Sequence, residues 1–131
     1  MAFDIVIITP KGIYLEDRVD SLTVKMTSGY RTILSGHYPL IGTLDIAPMH
    51  IKKGTNTLYY SLNGGALNVT KDKTILVVNS IESQDEIDIE RANASKERAL
   101  KRLNEKLEET DLKRASASLA RALSRIKTFN Q

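Results

Sequence analysis

The apolar residues of this chain change period near residue 83, and that change limits it to an all-β front and a helical tail. Before the change, Leu22, Val24 and Met26 alternate with Thr23 and Lys25, and Leu58, Tyr60 and Leu62 alternate in the same way. Strict alternation suits a strand with one buried face. Phe3–Ile8 adds a short, β-branched run, and Leu67–Val69 and Thr74–Val78 follow as further short strands. Turn residues separate them: Pro10-Lys11-Gly12, Ser28-Gly29, Lys53-Gly54-Thr55-Asn56, Asn63-Gly64-Gly65 and Lys71-Asp72-Lys73. Many short strands at this spacing predict a β-sandwich or barrel, and no helix-length pattern interrupts them to make a βαβ unit.

After residue 82 the spacing becomes helical. Ser83-Gln84-Asp85-Glu86 fits a capping box, and Asp88 adds a carboxylate near a helix start. One helix is expected over about 86–105 and a second over about 111–126. Leu112, Ala115, Leu119, Ala122 and Ile126 step by three and four along one face of the second. Ala92, Ala99 and Leu103 form a thinner stripe on the first. At about 25 cal/mol per Å² of apolar surface, alanine contributes far less than leucine. The hairpin is therefore expected to be marginal alone and to depend on a docking surface or a ligand. The expected fold class is α+β: domain 1–82 a sandwich, domain 83–131 a helical hairpin.

Composition removes several functions. The 131 residues include no cysteine, which excludes disulfides and thiolate zinc sites and fits a reducing compartment. A net charge of +3 does not by itself demand nucleic acid or anionic lipid. Ile5-Val6-Ile7-Ile8 is too short to span a membrane, and no basic segment precedes it. The chain reads as cytosolic, reaching a membrane only through a partner. No G-x-x-x-x-G-K-[ST] loop and no H-E-x-x-H occur. Ser35-Gly36-His37 places a hydroxyl beside an imidazole, but sequence neighbours rarely meet as nucleophile and base, so a turn or interface role is expected.

The remaining chemistry is cationic. Arg91, Arg98, Arg121 and Arg125 lie on the two helices, and the last three have no carboxylate three or four residues away. A hairpin turning about residue 108 puts Arg91 level with Arg125 and Arg98 near Arg121. Arg91 and Arg98 are two turns apart, about 10 Å, a span similar to a nucleotide. Guanidinium forks suit phosphate oxygens. Lys101, Arg102 and Lys106 read instead as a solvated face, with Glu97 and Glu105 at helical spacing.

Several motifs carry a family resemblance. Thr9-Pro10-Lys11-Gly12, Asp17-Arg18-Val19-Asp20-Ser21-Leu22, and Ser28-Gly29 followed by Ile33-Leu34-Ser35-Gly36-His37-Tyr38-Pro39-Leu40 resemble the epsilon subunit family of bacterial F-type ATP synthase. Asn63-Gly64-Gly65-Ala66-Leu67-Asn68-Val69 is similar to that family's S-G-G-x-x-E-V. Tyr30-Arg31-Thr32 stands where the family has Glu-Leu-Gly, and Ser35 replaces its usual proline; neither breaks the strand–turn pattern. The resemblance implies a sandwich of about ten antiparallel strands that binds the gamma subunit and the membrane rotor ring, at the cytoplasmic face of the cell membrane. It implies a non-catalytic rotor subunit whose hairpin either lies on the sandwich or extends into the catalytic head and restrains hydrolysis. Some members bind ATP on the folded hairpin through an I/L-D-x-x-R-A motif, which Ile87-Asp88-Ile89-Glu90-Arg91-Ala92 matches. By that register Glu82, Asp88, Arg91, Ala92, Arg98, Arg121 and Arg125 are the expected ATP contacts. ATP is then a regulatory ligand, with no catalytic cofactor and no metal. The rival reading is a nucleic-acid-binding module whose basic hairpin tracks phosphates. Interleaved glutamates, mild charge and few aromatics for base stacking argue against it.

Overall fold

A computed structural model describes residues 1–105 and 108–131. The expectation for Lys106 falls outside the described residues. Eight strands come first: β1 (Phe3–Thr9), β2 (Gly12–Val19), β3 (Ser21–Met26), β4 (Gly29–Leu34), β5 (Leu40–Lys53), β6 (Asn56–Val69), β7 (Lys73–Val78) and β8 (Ile81–Ser83). They hydrogen-bond in the order β2-β1-β7-β6-β5-β3-β4, with β8 added to β6. Every pair is antiparallel except β1 with β7. No hairpin joins those two strands, so no short turn dictates their direction.

Eight strands rather than about ten are present because β5 and β6 are each 14 residues long and run through a shared irregularity. The ladder keeps one register from Leu44–Gly65 to Ile46–Asn63, with Asp45 and Gly64 left unpaired between them. Inward-facing parity shifts there: Leu44 is followed by Ala47, Met49 and Ile51, and Leu62 by Leu67 and Val69. Asn63-Gly64-Gly65 is thus a kink inside one strand, not a turn between two. Gly64 has φ +73° and Gly65 φ +147°. A Cβ on Gly65 would lie 2.2 Å from the Val77 carbonyl oxygen, so only glycine lets β7 approach.

The core is filled from the strands alone. Ile5, Ile7, Leu22, Val24, Ile33, Met49, Ile51, Leu67 and Leu76 are all buried in one cluster. The chain then makes a 3₁₀ turn at Gln84–Glu86 and two helices, α1 (Ile89–Leu103) and α2 (Glu109–Phe129). α1 starts three residues later than expected. Ile87 is extended and buried, and Asp88 caps the helix by accepting the Arg91 backbone N–H at 3.1 Å. α2 runs three residues past Ile126 because Thr128 is held from both sides: its hydroxyl lies 2.8 Å from the Ser124 carbonyl and 3.3 Å from the Tyr60 carbonyl. The helices pack on each other, and α2 lies against β5 and β6.

Candidate anion site between the sandwich and the second helix

α2 is seated on the sandwich by the polar side chains of Ser124 and Thr128. Its buried residues are Ala115, Ala122, Ser124 and Thr128. Ser61 on β6 and Ser124 share a hydrogen bond of 2.8 Å inside this seam. Ser61 points outward because its neighbours Tyr60 and Leu62 fill the core. The period of β6 therefore decides which β residue greets the helix.

α2 carries Arg121 about one turn before Ser124 and Arg125 immediately after it. The Arg125 Nε–H donates to Glu82 Oε1 at 2.5 Å, and each side chain is about one-third exposed, at 32%. Glu82 sits on β8, the strand that ends the sandwich, so the pair bridges the two domains. Arg121 donates to Ser118 Oγ at 3.1 Å, one turn back along α2. Both arginines line a crevice of about 10 Å³ with Glu82, Ser61, Asn63 and Ser80. That volume is barely enough for one water. Arg121 also borders a wide, open groove of about 870 Å³ bounded by Asp45, Asn63, the Gly64–Gly65 kink and Asn79.

The other expected contacts are placed differently. Asp88 uses its carboxylate as the α1 N-cap, and Ala92 is buried. Arg91 and Arg98 are exposed on α1 and line neither the crevice nor the groove. Arg98 donates to Ser95 Oγ at 3.0 Å. The structure therefore brings together Glu82, Arg121 and Arg125 and leaves Arg91 and Arg98 outside that group. The absence of a helical carboxylate near Arg125 is answered across the domain boundary by Glu82. Arg98 and Arg121 each take a serine hydroxyl three residues back instead.

Sequence reasoning overlooked the residues that seat the helix. Ser124 and Thr128 are four apart on the buried side of α2, which is a helical signal. Nothing local in the sequence names Ser61 and Tyr60 as their partners.

With this geometry the chain compares closely with known proteins. The ATP synthase delta/epsilon chain beta-sandwich domain matches residues 2–84, and the long alpha-helix domain of the same family matches residues 85–130. The chain belongs to the ATP synthase delta/epsilon family. The ATP synthase epsilon chain of Bacillus mycoides (strain KBAB4) is 39% identical over 104 residues, spanning 79% of this chain and 78% of that one. That of Bacillus cereus (strain B4264) is 40% identical over the same length and shares. The fold is also that of a chain in the Euglena gracilis mitochondrial ATP synthase OSCP/F1/c-ring assembly, with a TM-score of 0.88 at 16% identity. The match covers 99% of this chain and 82% of that one. A chain of the Tetrahymena thermophila mitochondrial ATP synthase central stalk and c-ring matches at TM-score 0.62, with 18% identity and coverage of 99% and 95%. Epsilon chains are non-catalytic subunits of the synthase, and this member has the family's sandwich and two-helix architecture throughout. Among the described residues no helix is long and apolar enough to cross a membrane.

Proposed function

We propose that this chain is the rotor-stalk subunit that holds gamma and the membrane rotor ring through its sandwich, and that its hairpin is an ATP-sensitive brake on hydrolysis. It works at the cytoplasmic face of the membrane, attached through the complex. The observation that carries the switch is the bridging of Glu82 and Arg125 across the domain boundary beside Arg121. An anion that bridges those guanidiniums and the sandwich groups across the groove, Asn63 and Asn79, is held only while α2 lies on the sandwich. ATP therefore favours the docked form by its differential affinity, and falling ATP frees the hairpin to reach the catalytic head. A ligand at 100 times its Kd shifts such an equilibrium by about 2.7 kcal/mol. The helices bury few large apolar groups that would keep the hairpin docked without the ligand.

The crevice itself is filled by the ion pair, so phosphates approach through the open groove at Arg121 and share Arg125 with Glu82, whose bond uses only the Nε–H. Arg91 and Arg98 join from α1 as the chain closes on the ligand. The decisive experiment is a calorimetric titration of the full chain with ATP, run beside a duplex DNA titration over a salt series. Saturable one-to-one ATP binding with no DNA binding at physiological salt supports the reading. Salt-dependent DNA binding without ATP binding would favour the nucleic-acid module.

A further inference from the structure

We propose that the linker 83–86 is a clasp that sets how readily α2 leaves the sandwich, with Gln84 gripping the last turn of α2 and Tyr14 anchoring the linker to β2. The proposal rests on the docked-and-released reading above and names what regulates it.

The last carbonyls of an α-helix have no partner within the helix. Here a side chain from the linker supplies one. Gln84 Nε2 lies 3.2 Å from the Thr128 carbonyl, 3.2 Å from that of Phe129 and 3.0 Å from that of Gln131. Gln84 is thus a C-cap delivered from 44 to 47 residues earlier in the chain. The linker is itself held still. The Glu86 carboxylate accepts the Tyr14 hydroxyl and, at 2.9 Å, the Ser83 backbone N–H. Next to it Ile87 is buried.

These contacts close into a ring. Tyr14 meets the Tyr60 ring edge-on, with centroids 6.3 Å apart. The Tyr60 carbonyl accepts the Thr128 hydroxyl, and the Thr128 carbonyl accepts Gln84. Gln84 and Glu86 share one 3₁₀ turn, which leads two residues later into α1. The segment on which the hairpin must pivot is therefore the segment that holds its far end. The links that α2 makes in this ring are polar, so groups that part are rehydrated, and the net cost of each break is small. Such a clasp opens on demand, whereas an apolar seam of equal extent would resist.

The test uses the full chain, which has no cysteine. A single Ser124→Cys thiol, at a position only 2% exposed, reports undocking through its rate of alkylation by N-ethylmaleimide. Adding Gln84→Ala should accelerate labelling about ten-fold, the change expected for losing a net hydrogen-bonding contribution of about 1.4 kcal/mol. Gln84→Glu keeps the size but turns a second acceptor toward the carbonyls, and should accelerate it at least as much. Tyr14→Phe should give a smaller acceleration, and Asp85→Ala, exposed on the same turn, none. Amide hydrogen exchange of α2 in the chain without Ser124→Cys must follow the same order, which guards against the probe loosening the seam. Gln84→Ala and Gln84→Glu within two-fold of the parent in both measurements would overturn the clasp. Each variant is also measured with ATP. If ATP has no effect but Gln84→Ala still accelerates opening, the clasp stands and the nucleotide reading falls. If ATP protects but Gln84→Ala changes nothing, the clasp falls alone.

Discussion

At the scale of single residues, Arg125 and Glu86 make the sharpest predictions. A charge-assisted contact is worth roughly 1.5–3 kcal/mol. Arg125→Ala should therefore weaken ATP binding about ten-fold or more, since 1.4 kcal/mol is one decade. Helicity should survive, because alanine is the better helix former. In the reconstituted synthase the variant should stay inhibited at ATP levels that release the wild type. Unchanged affinity in both Arg121→Ala and Arg125→Ala, read by titration, would assign these arginines to another partner. Glu86 predicts a pH dependence. The Tyr14 hydroxyl, and after it the Ser83 N–H, hold its carboxyl below the usual carboxylate range. A depressed folded-state pKa contributes stability above the unfolded value of about 4.3, and that contribution is lost as pH falls through the folded value. Glu86→Gln should thus increase α2 hydrogen exchange at pH 6 and match the parent once the pH has fallen below the folded-state value. A gap that persists unchanged in acid would show that Glu86 acts by packing. Arg121 and Arg125 were legible in the sequence through the carboxylates their helix lacks. Gln84 was not, because its acceptors are backbone carbonyls more than forty residues away.

At the scale of elements, the helices were read within three residues at each end, and the strands less well. Alternation identified β3 and the two halves of β6. The glycines between Leu62 and Leu67 read as a break because a kink that shifts parity carries the same residues as a turn. The kink has its own test. Gly65→Ala places a Cβ 2.2 Å from the Val77 carbonyl oxygen and 2.8 Å from Val78 Cα, at a φ that side chains avoid. The overlap falls on backbone, so it cannot be relieved by a rotamer change. The substitution should cost about 2–4 kcal/mol, seen as a lower urea midpoint for the sandwich. Gly64→Ala meets the Asn79 side-chain amide at 3.3 Å and the Leu44 carbonyl oxygen at an ordinary 3.7 Å, and should cost less. Equal midpoints for Gly65→Ala and the parent would mean that β7 can move away from the kink without loss.

At the scale of the whole molecule, the two domains are unequal. The buried core draws every member from residues 5–81, while the buried side chains of α1 are Ala92 and Ala99 alone. Residues 1–82 should therefore fold by themselves and still bind purified gamma. An unfolded fragment, or a folded one that cannot bind gamma, would put the boundary or the partner in error. The division was legible because it is a change of hydrophobic period. The seating of the hairpin was not, because serine and threonine pairs at a docking face look like any polar surface. The parallel pairing of β1 with β7 has a consequence for how the molecule is made. Asp4 to Ile8 lie beside Lys73 to Val77, so nearly the whole sandwich separates the two edges that meet. On the ribosome the first hairpin emerges with Ile5 and Ile7 unsheltered and must wait for β7. Loop closure over that length is slow, and a nascent chain that waits with a bare strand edge is exposed to aggregation. Pairing of β1 with β7 is then expected late in sandwich folding, and the helical tail, synthesised afterwards, arrives on a surface that has only just formed.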